Sequence, residues 1–230
     1  MKKIASLHLE YLLNKMNIFV FSICTLIFSI AISSNLIDVY SSTSYKNKSE
    51  IYLEGSLILF EIFSVILSCF IFSFNFLKEK DEYRYLCVKK EDEKKLFLIK
   101  KIIVSLMFLY FFELINLMVL LLMGYLGVYR FCISSIYHYK IFFVLLQVIY
   151  YGFLSMFLVK LCNNLFTIML PMLGKFMSLY LVDSKNEIAK LITFLFPSSA
   201  NGDLSNVFFI CIEVIVLFYI VIYLDVTKEY

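Results

Sequence analysis

Four ionisable residues stand inside otherwise apolar runs of this sequence: Glu61, Glu113, Lys175 and Glu213. A charged side chain at the centre of a lipid-facing helix costs at least about 2.5 kcal/mol, so each is expected to face protein or water. Counted along their segments, Glu113 and Lys175 come to similar mid-membrane depth and are expected to neutralise each other. Glu61 and Glu213 fall in the outer halves of theirs, with no basic residue at that depth. Two readings fit these carboxylates. They line a translocation path or meet a cationic substrate, or they act as polar contacts between helices.

Other chemistry finds few residues to carry it. His8 and His138 are the only histidines, and the topology derived below puts them on opposite sides of a membrane, so they cannot share a metal or an acid–base site. No HExxH, GxSxG or GxxxxGK[ST] motif occurs, the last being the loop whose backbone amides surround phosphates. The six cysteines fall mostly in or beside apolar runs, where a thiol behaves as a small hydrophobe, and none has metal-ligand spacing. Neither a catalytic residue nor a metal ligand is assigned, and the chain is not expected to be an enzyme.

The elements that must position the four charges follow from composition. Of 230 residues 62% are hydrophobic and 17% charged, well above the apolar share of a soluble domain. Apolar stretches continue for about twenty residues without strand-like alternation, which excludes a β-barrel. With only 6 Gly and 2 Pro, long helices are expected. The fold class is therefore an all-α integral membrane protein with six transmembrane helices, a single domain over 1–230. The candidate spans are 18–37, 56–76, 102–126, 141–161, 165–182 and 207–224, each matching a hydrocarbon core of about 30 Å. The fifth contains Pro171, Gly174 and Lys175 and can be broken part way through. The first is expected to be retained and not cleaved as a signal peptide.

Lys and Arg set the orientation, because short loops rich in them stay cytoplasmic. With both termini inside, 14 of the 21 fall on the inner side, nine of them between Lys78 and Lys101. Before the first span, Ala5, Leu9, Leu12, Leu13 and Met16 recur at helical spacing opposite Ser6, Glu10, Asn14 and Asn17. Residues 1–17 thus read as an interfacial amphipathic helix or as a cytoplasmic extension of the span. The segment 77–101 mixes both charge signs with Tyr83, Tyr85, Leu86, Val88, Leu96 and Phe97, which suits a short helix docking on a soluble partner, or a solvated loop. Within 183–205, Ser184 and Glu187 form a capping box before a short amphipathic helix ended by Pro197, placed at the outer surface.

Taken together these parts resemble the permease subunit of an ABC-2 type ATP-binding cassette exporter, over essentially the whole chain. The most specific local likeness is Phe76 with Glu79, Tyr85 with Leu86, and Lys100 entering the third span; Tyr83 and Arg84 depart from the family pattern, as does the lack of a Pro near Lys90. The resemblance implies that 77–101 holds a coupling helix, with Glu79, Glu82, Tyr85, Leu86 and Val88 contacting a separate ATPase subunit. It also implies that ATP and Mg are bound by that partner and not by this chain. A second permease copy or a homologous permease would complete the pore, in the plasma membrane and without nucleic acid. By analogy with small Gram-positive exporter or immunity permeases, the cargo is a hydrophobic or amphipathic peptide or antibiotic. Two other classes remain open. One is a non-transporting membrane sensor or immunity protein; the other is an ion-coupled secondary transporter in which Glu113 carries a proton or cation.

Overall fold

The computed structural model describes residues 15–41, 47–76, 91–162, 164–181, 184, 186–198 and 204–227. The expected interfacial helix up to residue 14 and all five expected coupling residues, Glu79, Glu82, Tyr85, Leu86 and Val88, lie outside the described residues. Among the described residues there are seven α-helices and no strand: α1 (Lys15–Ser41), α2 (Lys48–Asn75), α3 (Glu91–Gly127), α4 (Ser135–Cys162), α5 (Met169–Leu181), α6 (Glu187–Leu195) and α7 (Leu204–Thr227). A 3-10 turn, Leu165–Ile168, leads into α5.

Five of these helices, α1, α2, α3, α4 and α7, are long and apolar enough to cross a membrane. They carry apolar side chains on their outward faces as well, including Phe19, Met107, Met118, Phe208 and Tyr219, all well exposed. Apolar surface on this scale needs lipid or another apolar surface over it, and the chain is a helical, multi-pass membrane protein. The segment expected as the fifth span is different. Its α-helix has 13 residues, about 20 Å of rise, too short to cross a core of about 30 Å. Pro171 sits in the first turn of α5, where a missing N–H costs no intrahelical bond.

Two further boundaries differ from expectation. Helix α3 is described from Glu91 and runs unbroken for 37 residues, about 55 Å, so that 91–101 are continuous with the span. The short helix before the last span is present as α6, but its cap is Asn186, whose side chain accepts from the Ile188 N–H at 3.2 Å. Ser184 instead receives the Asn186 N–H at 3.4 Å, so no Ser184–Glu187 capping box forms.

Helix α2 is the hub, packing on α1, α3, α4 and α5, most extensively on α4. Side-chain hydrogen bonds to backbone carbonyls stitch these contacts. Tyr52 donates to Leu120 O at 2.7 Å, Ser68 to Val148 O at 2.5 Å, and Tyr110 to Leu145 O at 3.0 Å. Asn35 donates to both Tyr52 O and Ser56 Oγ, tying α1 to α2. Such interhelical bonds and small residues at contacts are what hold helices together where the solvent is itself apolar. Gly152 lets α4 come close to α2: a Cβ there would lie 2.7 Å from both Phe72 Cδ2 and Ser68 Oγ. Gly152→Val is therefore expected to force α2 and α4 apart, costing about 1–3 kcal/mol. The check is the thermal unfolding midpoint in mild detergent, where an unchanged midpoint would contradict this packing.

Candidate functional site: a polar layer in the bundle core

The buried apolar residues fall into three clusters, one around Phe143, Tyr150 and Tyr151 and two others placed along the bundle. One takes Leu67–Phe76 from α2, Leu98–Leu109 from α3 and Val148–Met156 from α4. The other takes Tyr52–Phe60 from α2, Leu120–Val128 with its turn from α3, and Tyr137 and Val144 from α4. Between them each helix contributes polar side chains at the same level: Glu61 and Ser64 from α2, Glu113 and Asn116 from α3, Gln147 from α4. All five are at most 1% exposed. Polar groups removed from water must be paired or they cost several kcal/mol.

Lys175 is brought to this layer by α5, and its ammonium is fully engaged. It forms a buried ion pair with Glu61, and it donates to Gln147 Oε1 at 3.2 Å and to Pro197 O at 2.9 Å. Those three acceptors use all three ammonium protons. The Tyr151 ring lies 5.6 Å from the same nitrogen, close enough for a cation–π contact. The turn after α6 reaches the same place. Tyr150 donates to Leu195 O at 2.8 Å and Tyr151 to Pro197 O at 3.2 Å. Non-helical backbone at this depth is tolerable only when protein satisfies its carbonyls, and α4 with Lys175 does so.

The expected Glu113–Lys175 pair is not formed: Lys175 pairs with Glu61. Depth along a helix says nothing about which way a side chain points, and Lys175 enters from the α2–α4 side of the core. Glu113 instead accepts from Ser64 Oγ at 2.5 Å through Oε2. Glu61, expected to lack a basic partner, thus has one. Glu213 is half-buried on α7, within electrostatic reach of Tyr150 and Tyr151 on α4. The structure therefore joins Glu61 and Lys175 directly, sets Glu113 one α2 turn away through Ser64, and leaves Glu213 at the margin.

Ser64, Asn116, Gln147, Tyr150 and Tyr151 were not singled out by the sequence. The signal was there for some of them: Glu61, Ser64 and Ser68 recur at helical spacing along α2, a polar stripe in an apolar helix. Among the described residues, no group of three His, Cys, Asp or Glu side chains is placed to hold a metal ion. No family model matches the chain, and no curated protein or solved structure does either.

Breaking one half of the buried pair leaves the other charged and unpaired. Lys175→Met, which also takes the Lys175 donor from Gln147 Oε1 and leaves Pro197 O with the Tyr151 hydroxyl alone, is expected to cost about 3–5 kcal/mol. Adding Glu61→Gln should recover a large part of that loss. Thermal unfolding of the single and double variants in detergent measures the coupling, and additive losses would contradict it.

Proposed function

We propose that this chain is the membrane-embedded permease subunit of an ATP-driven ABC-2 type exporter. The observation that carries the reading is the interrupted element at mid-depth. A half-length helix, α5, and the turn after α6 meet inside the bundle on one buried ion pair, while five full-length helices surround or flank them. Interrupted elements at the centre of a bundle are where secondary transporters place their substrate sites, and the same placement is carried over here to an ATP-driven permease. Counting the 3-10 turn and α5 as an incomplete span gives the six-segment plan of the family that the sequence resembles.

In this reading the termini and the Lys-rich connection between α2 and α3 face the cytoplasm of a cell bounded by the plasma membrane. Glu79, Glu82, Tyr85, Leu86 and Val88 dock on a separate ATPase subunit, which binds ATP and Mg. The 37 residues of α3 support the coupling, since they exceed the bilayer core by about 25 Å and can carry a push at one end to Glu113 within it. The apolar outward faces of α1, α3 and α7 meet lipid and a second permease, a copy of this chain or a homologue. ATP binding biases the inward and outward states, and the permease supplies contacts that differ between them. The cargo is a hydrophobic or amphipathic peptide or antibiotic, taken partly from the membrane.

The complete saturation of Lys175 favours a second reading, a static membrane sensor or immunity protein that binds a ligand and moves nothing. Purification of the tagged protein from native membranes in mild detergent separates the two. The exporter reading expects a stoichiometric ATP-binding cassette subunit and ATPase activity; a chain that arrives folded and alone contradicts it. Within such a complex, Glu79→Ala with Leu86→Ala should abolish cargo-stimulated ATPase activity while the permease remains folded. Retained stimulation would count against the coupling assignment.

A further inference from the structure

Charge and hydrogen bonding do not close around Glu113 as they do around Lys175. Glu113 is fully buried, and only Oε2 has a partner, the Ser64 hydroxyl. Oε1 has none among the described residues. Asn116 lies three residues further along α3, on the same helical face. It is 1% exposed, and its Oδ1 is likewise unpartnered among the described residues. Both orphans are acceptors, so neither can satisfy the other. The neighbouring Glu61–Lys175 pair is already neutral, which leaves an ionised Glu113 as an uncompensated charge in the core.

A proton on Oε1, with Asn116 Oδ1 three residues along the same helical face, would remove all three deficits. We propose that Glu113, Asn116 and Ser64 form a buried binding site for a single proton. With the proton on Oε1, Glu113 becomes a donor to Asn116 Oδ1 and keeps its acceptor role towards Ser64 through Oε2. The group is then neutral and each side chain is used according to its chemistry. An alkali ion is the other source of one positive charge. Four side-chain oxygens, one of them a hydroxyl already donating to the carboxylate, are fewer than the six or more that hard cations gather. Tyr110, one turn before Glu113 and within its electrostatic reach, donates its hydroxyl proton to Leu145 O and so is not the missing donor. The proposal stands whether or not the chain transports anything.

Infrared spectroscopy of the full chain in lipid nanodiscs tests it, at neutral pH with either sodium or choline as the added cation. The expected result is a protonated-carboxyl C=O band that shifts in heavy water, is lost in Glu113→Gln, and is the same in both salts. Loss of carboxylate intensity in Glu113→Gln, with no acid band in the unaltered protein, would overturn the proposal. So would a carboxylate band that moves when sodium replaces choline, which would identify an alkali ion as the ligand. Asn116→Leu and Ser64→Ala keep the carboxyl and decide the matter if Glu113→Gln does not fold. An acid band shifted by both supports the site, and one that neither moves belongs to another carboxyl and overturns it.

Discussion

A lysine ammonium carried into an apolar bundle has no water to turn to, and its three protons must all find oxygen. For Lys175 those oxygens come from a carboxylate on α2, an amide on α4 and a backbone carbonyl after α6. Three separate parts of the chain are thereby fixed relative to α5. The requirement is strict because a buried charge that loses its partner is penalised far more than the pair gains over an apolar replacement. Position and orientation, more than net stability, are what such a pair provides.

The rest of the core is arranged so that this centre can exist. Above and below the polar layer the helices present large apolar side chains that close two clusters, excluding water from the level where Glu61, Ser64, Glu113, Asn116 and Gln147 meet. Gly152 lets α2 and α4 approach just beside it, bringing Ser68 to Val148 O and the Tyr151 ring towards Lys175. The tyrosines at 150 and 151 then satisfy carbonyls of a turn that could not otherwise lie at this depth. In one part of the layer Lys175 is saturated by its three acceptors; in the other, Glu113 Oε1 and Asn116 Oδ1 are left without a partner among the described residues.

Much of the architecture could be read from the chain because the bilayer imposes a simple rule on length and hydropathy. The cores of α1, α2, α3, α4 and α7 fall where twenty-residue apolar runs lie, and Pro171, Gly174 and Lys175 mark the one run that does not extend through. Helix ends were less legible. Lys48–Gly55 continue α2 beyond its apolar part because Asn47 caps it, and Glu91–Lys101 extend α3 into a charged stretch that hydropathy alone assigns to a loop. The partner of Lys175 was misread for a different reason: depth is set by sequence distance, whereas pairing depends on the direction each helix face takes after packing. The stripe of Glu61, Ser64 and Ser68 marks the face of α2 that turns inward, where Ser64 meets α3 and Glu61 and Ser68 meet α5 and α4.

The account rests on Lys175 and Glu61 being in direct contact inside the bundle. Solid-state nuclear magnetic resonance of the protein in lipid bilayers can measure this through the dipolar coupling between 15N at Lys175 Nζ and 13C at Glu61 Cδ. The account predicts a coupling that corresponds to an ion pair, with N and O within about 4 Å, and its loss in Glu61→Gln or Lys175→Met. No coupling, together with a Lys175 ammonium that exchanges freely with water, would show that α5 is not seated in the core and would contradict the account.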